Sequence, residues 1–292
     1  MDVFSILTLG PPGSFSHEAA LYFADALGLD RSVVRAETGS NDQTVSETLI
    51  NLDAVMGVVP FETTGGGLVP EVTNALLKGL DRNPKIYREY IMPIQQSFAY
   101  KSHLSQVRTV VTHQQSILQC QHFLSKLKQE HPYIEVKPVG SNSEAMRLAS
   151  EDESLAAIGP RLAAEEIYRL PHVVHGVQDS ANNETRFILL HGRDYGEPTG
   201  MDRTTLTYAV RNEPAALWNA IGTFSRRGLN LSGQHSIPTR MKLGDYRMVT
   251  EVDAHESYEA MQGALRELVD WVVPGSIYLF GSYPRHINGN GR

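Results

Sequence analysis

Hydrophobic positions along this chain follow two alternating patterns. Short apolar runs at Phe4–Leu9, Ala54–Val59, Thr109–Thr112, Ile134–Val139, Leu155–Ile158 and Arg186–Leu190 are separated by segments in which apolar residues recur with a helical period. Such alternation over the first two-thirds of the chain predicts a doubly wound α/β fold. The opening helix is the clearest case. Gly10-Pro11-Pro12-Gly13 breaks the first strand, Ser14 or Ser16 can cap the helix, Ala19, Ala20, Phe23, Ala24 and Leu27 share one face, and Gly28 stops it.

From His191 to Asp202 the chain turns rich in Gly, Asp and Pro and loses any apolar period, which marks a domain linker. The chain beyond Asp202 reads β-α-β-β-α-β: a strand at Thr204–Val210, then a helix opened by Pro214 with Leu217, Ile221 and Phe224 on one side and ended by Gly228. Strands at Asn230–Ile237 and Tyr246–Val252 come next, then a helix over Tyr258–Val269 and a last strand near Ile277–Phe280. That order is ferredoxin-like. The tail from His286 to Arg292 is expected to fray.

Composition narrows the function classes. At 292 residues and 41% hydrophobic content the chain can bury a full core and fill two domains. A net charge of −7 without a long Lys/Arg run argues against nucleic acid or an anionic membrane as partner, so an anionic ligand would have to be captured by local groups. The one cysteine, Cys120, allows no internal disulfide and no thiol-rich metal site, and its neighbours Leu118 and Phe123 make it a small buried apolar residue. No apolar run approaches membrane-spanning length, and Met1–Leu7 leads straight into a strand without a signal-like pattern, which together predict a soluble cytoplasmic protein.

Two distant segments carry the candidate chemistry. Gly57-Val58-Val59-Pro60-Phe61-Glu62-Thr63-Thr64-Gly65-Gly66-Gly67 is an apolar strand ending in a turn rich in hydroxyls and glycine, and Asn183-Glu184-Thr185-Arg186-Phe187 opens another strand. They look like two walls of one polar cleft suited to an anionic small molecule. Thr63 and Thr64 offer hydroxyls where glycines let a ligand approach the backbone. Glu62 reads as a general base or as a structural acceptor. Arg186 can pair with a carboxylate bidentately, with Thr185 a neutral donor beside it, or can pair with Glu184 or Asp179 at the strand start. Thr112, His113 and Gln119 follow another strand end and can line the facing wall; Ser141 and Ser143 can do so too or cap the next helix. Ser14 sits in the Gly10–Ser16 turn, where a helix N-terminus favours a carboxylate or phosphate, although an ordinary capped turn reads the same way. His172 and His175 lack a third partner at metal-ligand spacing, so no metal is expected.

Taken together, these segments resemble prephenate dehydratase over nearly the whole chain. The Gly10–Ser16 turn, Gly57-Val58-Val59-Pro60 with Glu62, Ala156-Ala157-Ile158 with Ala163, Ala164 and Tyr168, and Asn183 with Thr185-Arg186-Phe187 stand in the order of that family's motifs. The C-terminal part is similar to its ACT domain, closing on Gly281-Ser282-Tyr283-Pro284-Arg285. The resemblance implies a two-lobed, periplasmic-binding-protein-like catalytic domain over 1–190, with lobes 1–80 plus 176–190 and 81–175, and a ferredoxin-like ACT domain over 203–285. It implies cofactor-free conversion of prephenate to phenylpyruvate, water and carbon dioxide in phenylalanine biosynthesis. Thr185, Thr63 and Gln119 would act in catalysis, with Ser14, Glu62, Thr64, Thr112, Ser141, Ser143, Arg186 and Phe187 around the substrate. An amino-acid effector would meet Ala216, Leu217, Asn230, Leu231, His235 and Ser236, and the chain would form a homodimer or homotetramer.

The chain departs from the family at several motifs. Glu62-Thr63-Thr64 stands where the family has Glu-Asn-Ser, Thr112-His113-Gln114-Gln115 where it has Ser-His-Pro-Gln, and His235-Ser236-Ile237-Pro238 where it has Glu-Ser-Arg-Pro. Pro214-Ala215-Ala216-Leu217 replaces its Gly-Ala-Leu. Two further functions therefore stay open: a decarboxylase that keeps the ring hydroxyl, and a sensor that binds without turnover. Retention of Thr185 favours dehydration over the former.

Overall fold

The structure is a computed structural model that describes residues 5–52, 54–239 and 245–286; Phe4 and the tail beyond His286 lie outside the described residues. The chain begins with β1 (Ser5–Leu9), α1 (Phe15–Ala26), β2 (Val34–Glu37), α2 (Asn41–Ile50), β3 (Val55–Thr63), the short β4 (Gly67–Leu68), α3 (Pro70–Lys78) and β5 (Lys85–Pro93). It continues through β6 (Gln96–Tyr100), β7 (Thr109–His113), α4 (Gln114–Gln119), α5 (Gln121–Glu130), β8 (Glu135–Val139), α6 (Asn142–Glu151), β9 (Leu155–Pro160) and β10 (His172–His175), then returns as β11 (Glu184–His191). Two sheets result, ordered β2-β1-β3-β11-β5 with β4 on β3, and β10-β6-β9-β7-β8. They make a two-lobed, binding-protein-like α/β unit. The chain changes sheet between Pro93 and Gln96, not near residue 81 as expected from sequence, because β5 pairs with β11 in the first sheet. Arg88 and Glu89 in the middle of β5 break its apolar run, which hides the strand in the sequence.

Local sequence explains these elements. Ser14 caps α1 by accepting the His17 backbone N–H, Ala19, Ala20, Phe23 and Ala24 are its buried residues, and Gly28 leaves it at φ 67°. β3 is apolar on both faces because α1 and α2 pack on it from opposite sides. Pro60 breaks no ladder, since it lies where β3 bulges: Glu62 pairs with Arg186 and Pro60 with Phe187, leaving Phe61 as the extra residue. Gly13, at φ 84°, brings lobe one against lobe two, where a Cβ would come within 2.8 Å of Ala163 Cβ.

The C-terminal unit comprises β12 (Asp202–Ala209), α7 (Ala216–Ser225), β13 (Leu231–Pro238), β14 (Tyr246–Val252), α8 (Glu259–Leu268) and β15 (Tyr278–Pro284). Its fully antiparallel order β13-β14-β12-β15 is that of a ferredoxin-like βαββαβ sheet. Helix α7 starts at Ala216 and buries Ala216, Ala220, Thr223 and Phe224; of the expected face Phe224 is buried and Ile221 partly so, whereas Leu217 is 45% exposed. Val249, Phe280 and Tyr283 of this unit join Val59, Phe61, Ile86 and Ile188 of lobe one in a single core cluster. Lys85 Nζ also donates to the Leu279 carbonyl at 2.9 Å, and Tyr278 Oη to the Pro84 carbonyl at 2.9 Å. The C-terminal unit is therefore joined to one lobe by shared core as well as by the linker. Among the described residues no helix is long and apolar enough to cross a membrane.

Gly57 of β3 lies flush against α2, where an added Cβ would overlap the Thr48 side chain, with Thr48 Cβ 3.0 Å away. Gly57→Ala is expected to destabilise the protein by about 1–3 kcal/mol in urea unfolding, the usual result of overpacking a filled core; an unchanged midpoint would show that α2 can shift freely.

Candidate active site

The two segments singled out in the sequence meet because β3 and β11 are antiparallel neighbours. Thr63 pairs directly with Thr185, and Glu62 with Arg186. Since successive side chains on a strand alternate between faces, the threonine pair and the charged pair point to opposite sides of the sheet. Thr63 and Thr185 open on a cleft of about 600 Å³ between the lobes. Phe15, Pro60, Val69, Ile94 and Phe187 give it apolar walls, while Gln96, Gln115, Ser116, Gln119, Asn142 and Asn183 add neutral polar groups. Among the described residues that line it there is no carboxylate, lysine or arginine, and His113 is its one ring that can carry charge.

A relay of hydrogen bonds fixes the lobe-two wall. The His113 backbone N–H donates to Asn142 Oδ1 at 3.1 Å, which defines that atom as the carbonyl oxygen. The Ser116 hydroxyl donates to the same oxygen at 2.9 Å, and the Thr112 hydroxyl lies 3.2 Å from it. Ser116 must then accept from Gln96 Nε2, 3.1 Å away, and the same amide reaches Gln119 Oε1 at 3.3 Å. Asn142 and Phe15 stand at the first positions of α6 and α1, so two helix N-termini face the cleft and favour negative charge there.

Of the residues expected from sequence, Thr185, Thr63, Gln119 and Phe187 line this cleft. The others have different partners. Ser14 caps α1 and donates to the Leu9 carbonyl at 3.1 Å. Thr64 accepts the Glu184 N–H at 3.0 Å and donates to the Glu184 carbonyl at 3.1 Å, tying the two strand ends together. Thr112 is fully buried and donates to the Ile158 carbonyl at 2.8 Å. Ser141 caps α6, and Ser143 donates to the Pro12 carbonyl, clasping lobe two to lobe one. Cys120 is buried, and burial pushes its thiol up to about 12. His175 bonds Ser97 at 3.0 Å and lies 3.0 Å from Glu165, whereas His172 stacks on Tyr100. Gln96, Ser116 and Asn142 escape a reading of the sequence; only their position at strand ends and helix starts could mark them.

Arg186 does not face the cleft. It is 4% exposed, and each of its five N–H donors is taken by a carboxylate. Nε and Nη2 donate to Glu62 at 3.1 and 2.8 Å, Nη1 and Nη2 to Glu251 at 2.7 and 2.8 Å, and Nη1 to Glu89 at 3.1 Å. A carboxylate clamp would need a free edge of the guanidinium, which this arrangement does not leave. Glu62 is likewise committed to Arg186 rather than to the cleft. Burial works against the charge on Arg186, but the carboxylates around it win and hold its pKa well above the ordinary value. Burial also opposes ionisation of Glu251, and Arg186 overrides it, lowering the Glu251 pKa.

In the C-terminal unit, His235 and Ser236 line a second hollow of about 450 Å³ together with Gly66, Gly67, Pro70, Thr73 and Asn74 of lobe one. Asn230 donates to Asp253 at 2.7 Å, Ala216 is buried in α7, and Leu231 packs against the core of its own unit. The expected effector residues are thus not gathered into one site within a single chain.

The family model for prephenate dehydratase matches residues 6–195. The chain is 31% identical over 281 residues to the bifunctional chorismate mutase/prephenate dehydratase of Aquifex aeolicus (strain VF5), spanning 95% of this chain and 72% of that protein. It is 33% identical over 274 residues to prephenate dehydratase of Mycolicibacterium gilvum (strain PYR-GCK), spanning 90% and 86%. Among solved structures, prephenate dehydratase of Arthrobacter aurescens in complex with L-Phe superposes with a TM-score of 0.76 at 29% identity, covering 96% of this chain and 90% of that one. GqqA, described as a novel type of quorum quenching acylase, superposes at 0.81 with 22% identity over 96% and 98%, a likeness of fold alone.

Arg186→Leu is expected to cost about 3–5 kcal/mol in urea unfolding, because it strands buried Glu251 and removes one of the two cations on buried Glu89; a substitution that weakened ligand binding at unchanged stability would restore the clamp. The depressed Glu251 pKa gives a second test. Its stabilisation is full above the ordinary glutamate value of 4.5 and is lost as pH falls through the lower folded value. Between the ordinary value and the lower folded one, stability should therefore fall less steeply with acid in Glu251→Gln than in the wild type, and equal slopes would show that Glu251 contributes nothing to it.

Proposed function

The chain belongs to the prephenate dehydratase family, and we propose that this cleft is where it converts prephenate to phenylpyruvate, water and carbon dioxide, a carbon–oxygen lyase reaction of phenylalanine biosynthesis, with Thr185 protonating the departing hydroxyl. The observation that carries this assignment of roles is the cross-strand Thr63–Thr185 pair opening into a cleft lined without carboxylates.

The reaction removes the ring carboxylate as carbon dioxide and sends its bonding electrons through the diene to expel the 4-hydroxyl, which leaves as water after gaining a proton. A localised negative charge is thereby spread over the ring and the breaking C–O bond. A fixed lysine or arginine beside the ring carboxylate would stabilise the starting state more than the transition state, so a neutral lining is the better catalyst for this step. The side-chain carboxylate, which does not react, can be held by amide and hydroxyl donors and by the helix N-termini of α1 and α6.

Proton delivery falls to hydroxyls. Thr63 Oγ1 accepts the Gly66 N–H at 3.1 Å, and its own proton remains to be donated to a group in the cleft. Thr63 can thus polarise Thr185 as Thr185 gives its proton to the oxygen being expelled, and can return a proton afterwards. Gln119 and Gln96, joined through their amides, orient the substrate from the opposite wall.

In the same reading the chain divides into a catalytic part, 1–190, and an ACT-like regulatory part, 203–285. Support for an amino-acid effector comes from the L-Phe complex of the Arthrobacter aurescens relative. The unpaired edge of β13 suits assembly of a homodimer or homotetramer, which would bring Ala216, Leu217, Asn230, Leu231, His235 and Ser236 of different chains together. A biosynthetic enzyme of this kind works in the cytoplasm.

Incubation with prephenate followed by NMR of the products should give aromatic phenylpyruvate; a dihydro ring that keeps its hydroxyl would identify a decarboxylase instead, and unchanged prephenate would remove the assignment. Thr185→Ala is expected to lower kcat by about 10²–10⁴-fold with KM changed much less, and Thr185→Ser to keep a large part of the rate. An alanine variant with wild-type kcat would take Thr185 out of the mechanism.

A further inference from the structure

Arg186 and Thr185 are adjacent on β11, and their partners Glu62 and Thr63 are adjacent on β3. The guanidinium is a rigid planar fork, so it cannot move one of its edges alone. One edge holds Glu62 at the start of the turn that carries Thr63 into the cleft. The other edge holds Glu251 of β14, in the C-terminal unit, through two bonds at 2.7 and 2.8 Å.

Glu251 is itself fixed from its own side. Thr205 Oγ1 donates to its Oε1 at 3.3 Å, and Tyr283 Oη shares a 2.6 Å hydrogen bond with the same threonine. On the neighbouring edge strand β13, Gly233 pairs with Glu251, and a Cβ there would lie 2.5 Å from Glu251 Oε2 and 3.2 Å from Cδ. The missing side chain at Gly233 is what lets the carboxylate sit where the fork needs it.

We propose that Glu251 is a positioning residue for the cleft: through Arg186 and Glu62 it sets the placement of Thr63 opposite Thr185, so that the C-terminal unit determines the catalytic geometry in the lobe it is packed against. This inference rests on the assignment of Thr63 and Thr185 to catalysis. It makes three residues far apart in sequence one mechanical element, because four of the five bonds that place Arg186 go to Glu62 and Glu251 and one goes to Glu89. It also identifies β13 and β14 as the strands from which a change in the C-terminal unit would reach the cleft.

The test is steady-state kinetics on prephenate, expressed per folded site, for the full-length wild type, Glu251→Gln, Gly233→Ala, Glu62→Gln and the Glu251→Gln/Glu62→Gln pair, with urea unfolding of each. Glu251→Gln and Glu62→Gln should each lower kcat about tenfold while KM moves less than about twofold, and the pair should be no slower than the slower single variant, as expected when both act along one path. Gly233→Ala, which keeps every charge and touches neither threonine, should lower kcat in the same direction by a smaller factor. A merely structural Glu251 would move the urea midpoint and leave kcat per folded site unchanged, and that result, or additive effects in the pair, would overturn the proposal. Should Glu251→Gln fail to fold, Gly233→Ala decides the matter alone. A wild type without turnover would defeat the functional assignment and not this inference specifically.

Discussion

The alternation of side chains along β11 is the constraint on which this molecule depends. One strand, inserted antiparallel between β3 and β5, presents Thr185 and Phe187 to the interlobe cleft and Arg186, Ile188 and Leu190 to the core shared with the C-terminal unit. A slip of one residue would exchange the two faces, placing a guanidinium in the cleft, leaving buried Glu251 without its paired cation and Glu89 with Arg203 alone. The register is held by the ion cluster and by the β3 bulge at Phe61, whose ring lies 5.0 Å from the Arg186 guanidinium carbon. Such buried clusters are costly to assemble from separate charges, and their value here is that they admit one register.

The same alternation keeps the cleft neutral. With a net charge of −7, the molecule as a whole repels anions, yet buried Glu89 and Glu251 are turned away from the cleft and matched by Arg186 and Arg203. What lines the cleft instead is a set of amides and hydroxyls whose orientations are fixed by the Asn142 relay. Preorganised dipoles of this kind lose nothing to reorganisation when charge moves during reaction, whereas a flexible cation would follow the charge and bind the ground state.

Much of the fold was legible in the sequence, because local signals agreed with the tertiary outcome. Ser14 and Gly28 bound α1, the Val55–Val59 run is a doubly covered strand, and the βαββαβ order after residue 202 reads directly from period and breakers. β5 was not legible, since Arg88 and Glu89 interrupt its apolar pattern and Glu89 is buried for the sake of Arg186 and Arg203. The helix α7 shows the opposite failure: Leu217 suits an apolar face but lies on the outer one, beside Trp218 at 77% exposure. Thr63 and Thr185 could be placed on the cleft because each sits in a compact motif. Arg186 could not be placed, as all three of its carboxylate partners come from distant parts of the chain and an Arg next to a Thr gives no hint of which face it occupies. Asn142 and Gln96 carried no signal beyond being polar residues near element ends.

The replacement of the family's Asn and Ser by Thr63 and Thr64 can be understood from the turn itself. Thr64 uses its hydroxyl both to accept the Glu184 N–H and to donate to the Glu184 carbonyl, reinforcing the rung that its own backbone N–H makes to the same carbonyl at 3.0 Å. That fixes the end of the ladder beside the Thr63–Thr185 pair. Thr63 accepts from Gly66 on one side and has its proton free on the other, so one hydroxyl covers the acceptor and donor roles that an amide divides between two atoms. A branched β-carbon also holds χ1 more tightly than asparagine does on a strand. The exchange therefore trades reach for rigidity, and a hydroxyl that must meet its cross-strand neighbour needs little reach.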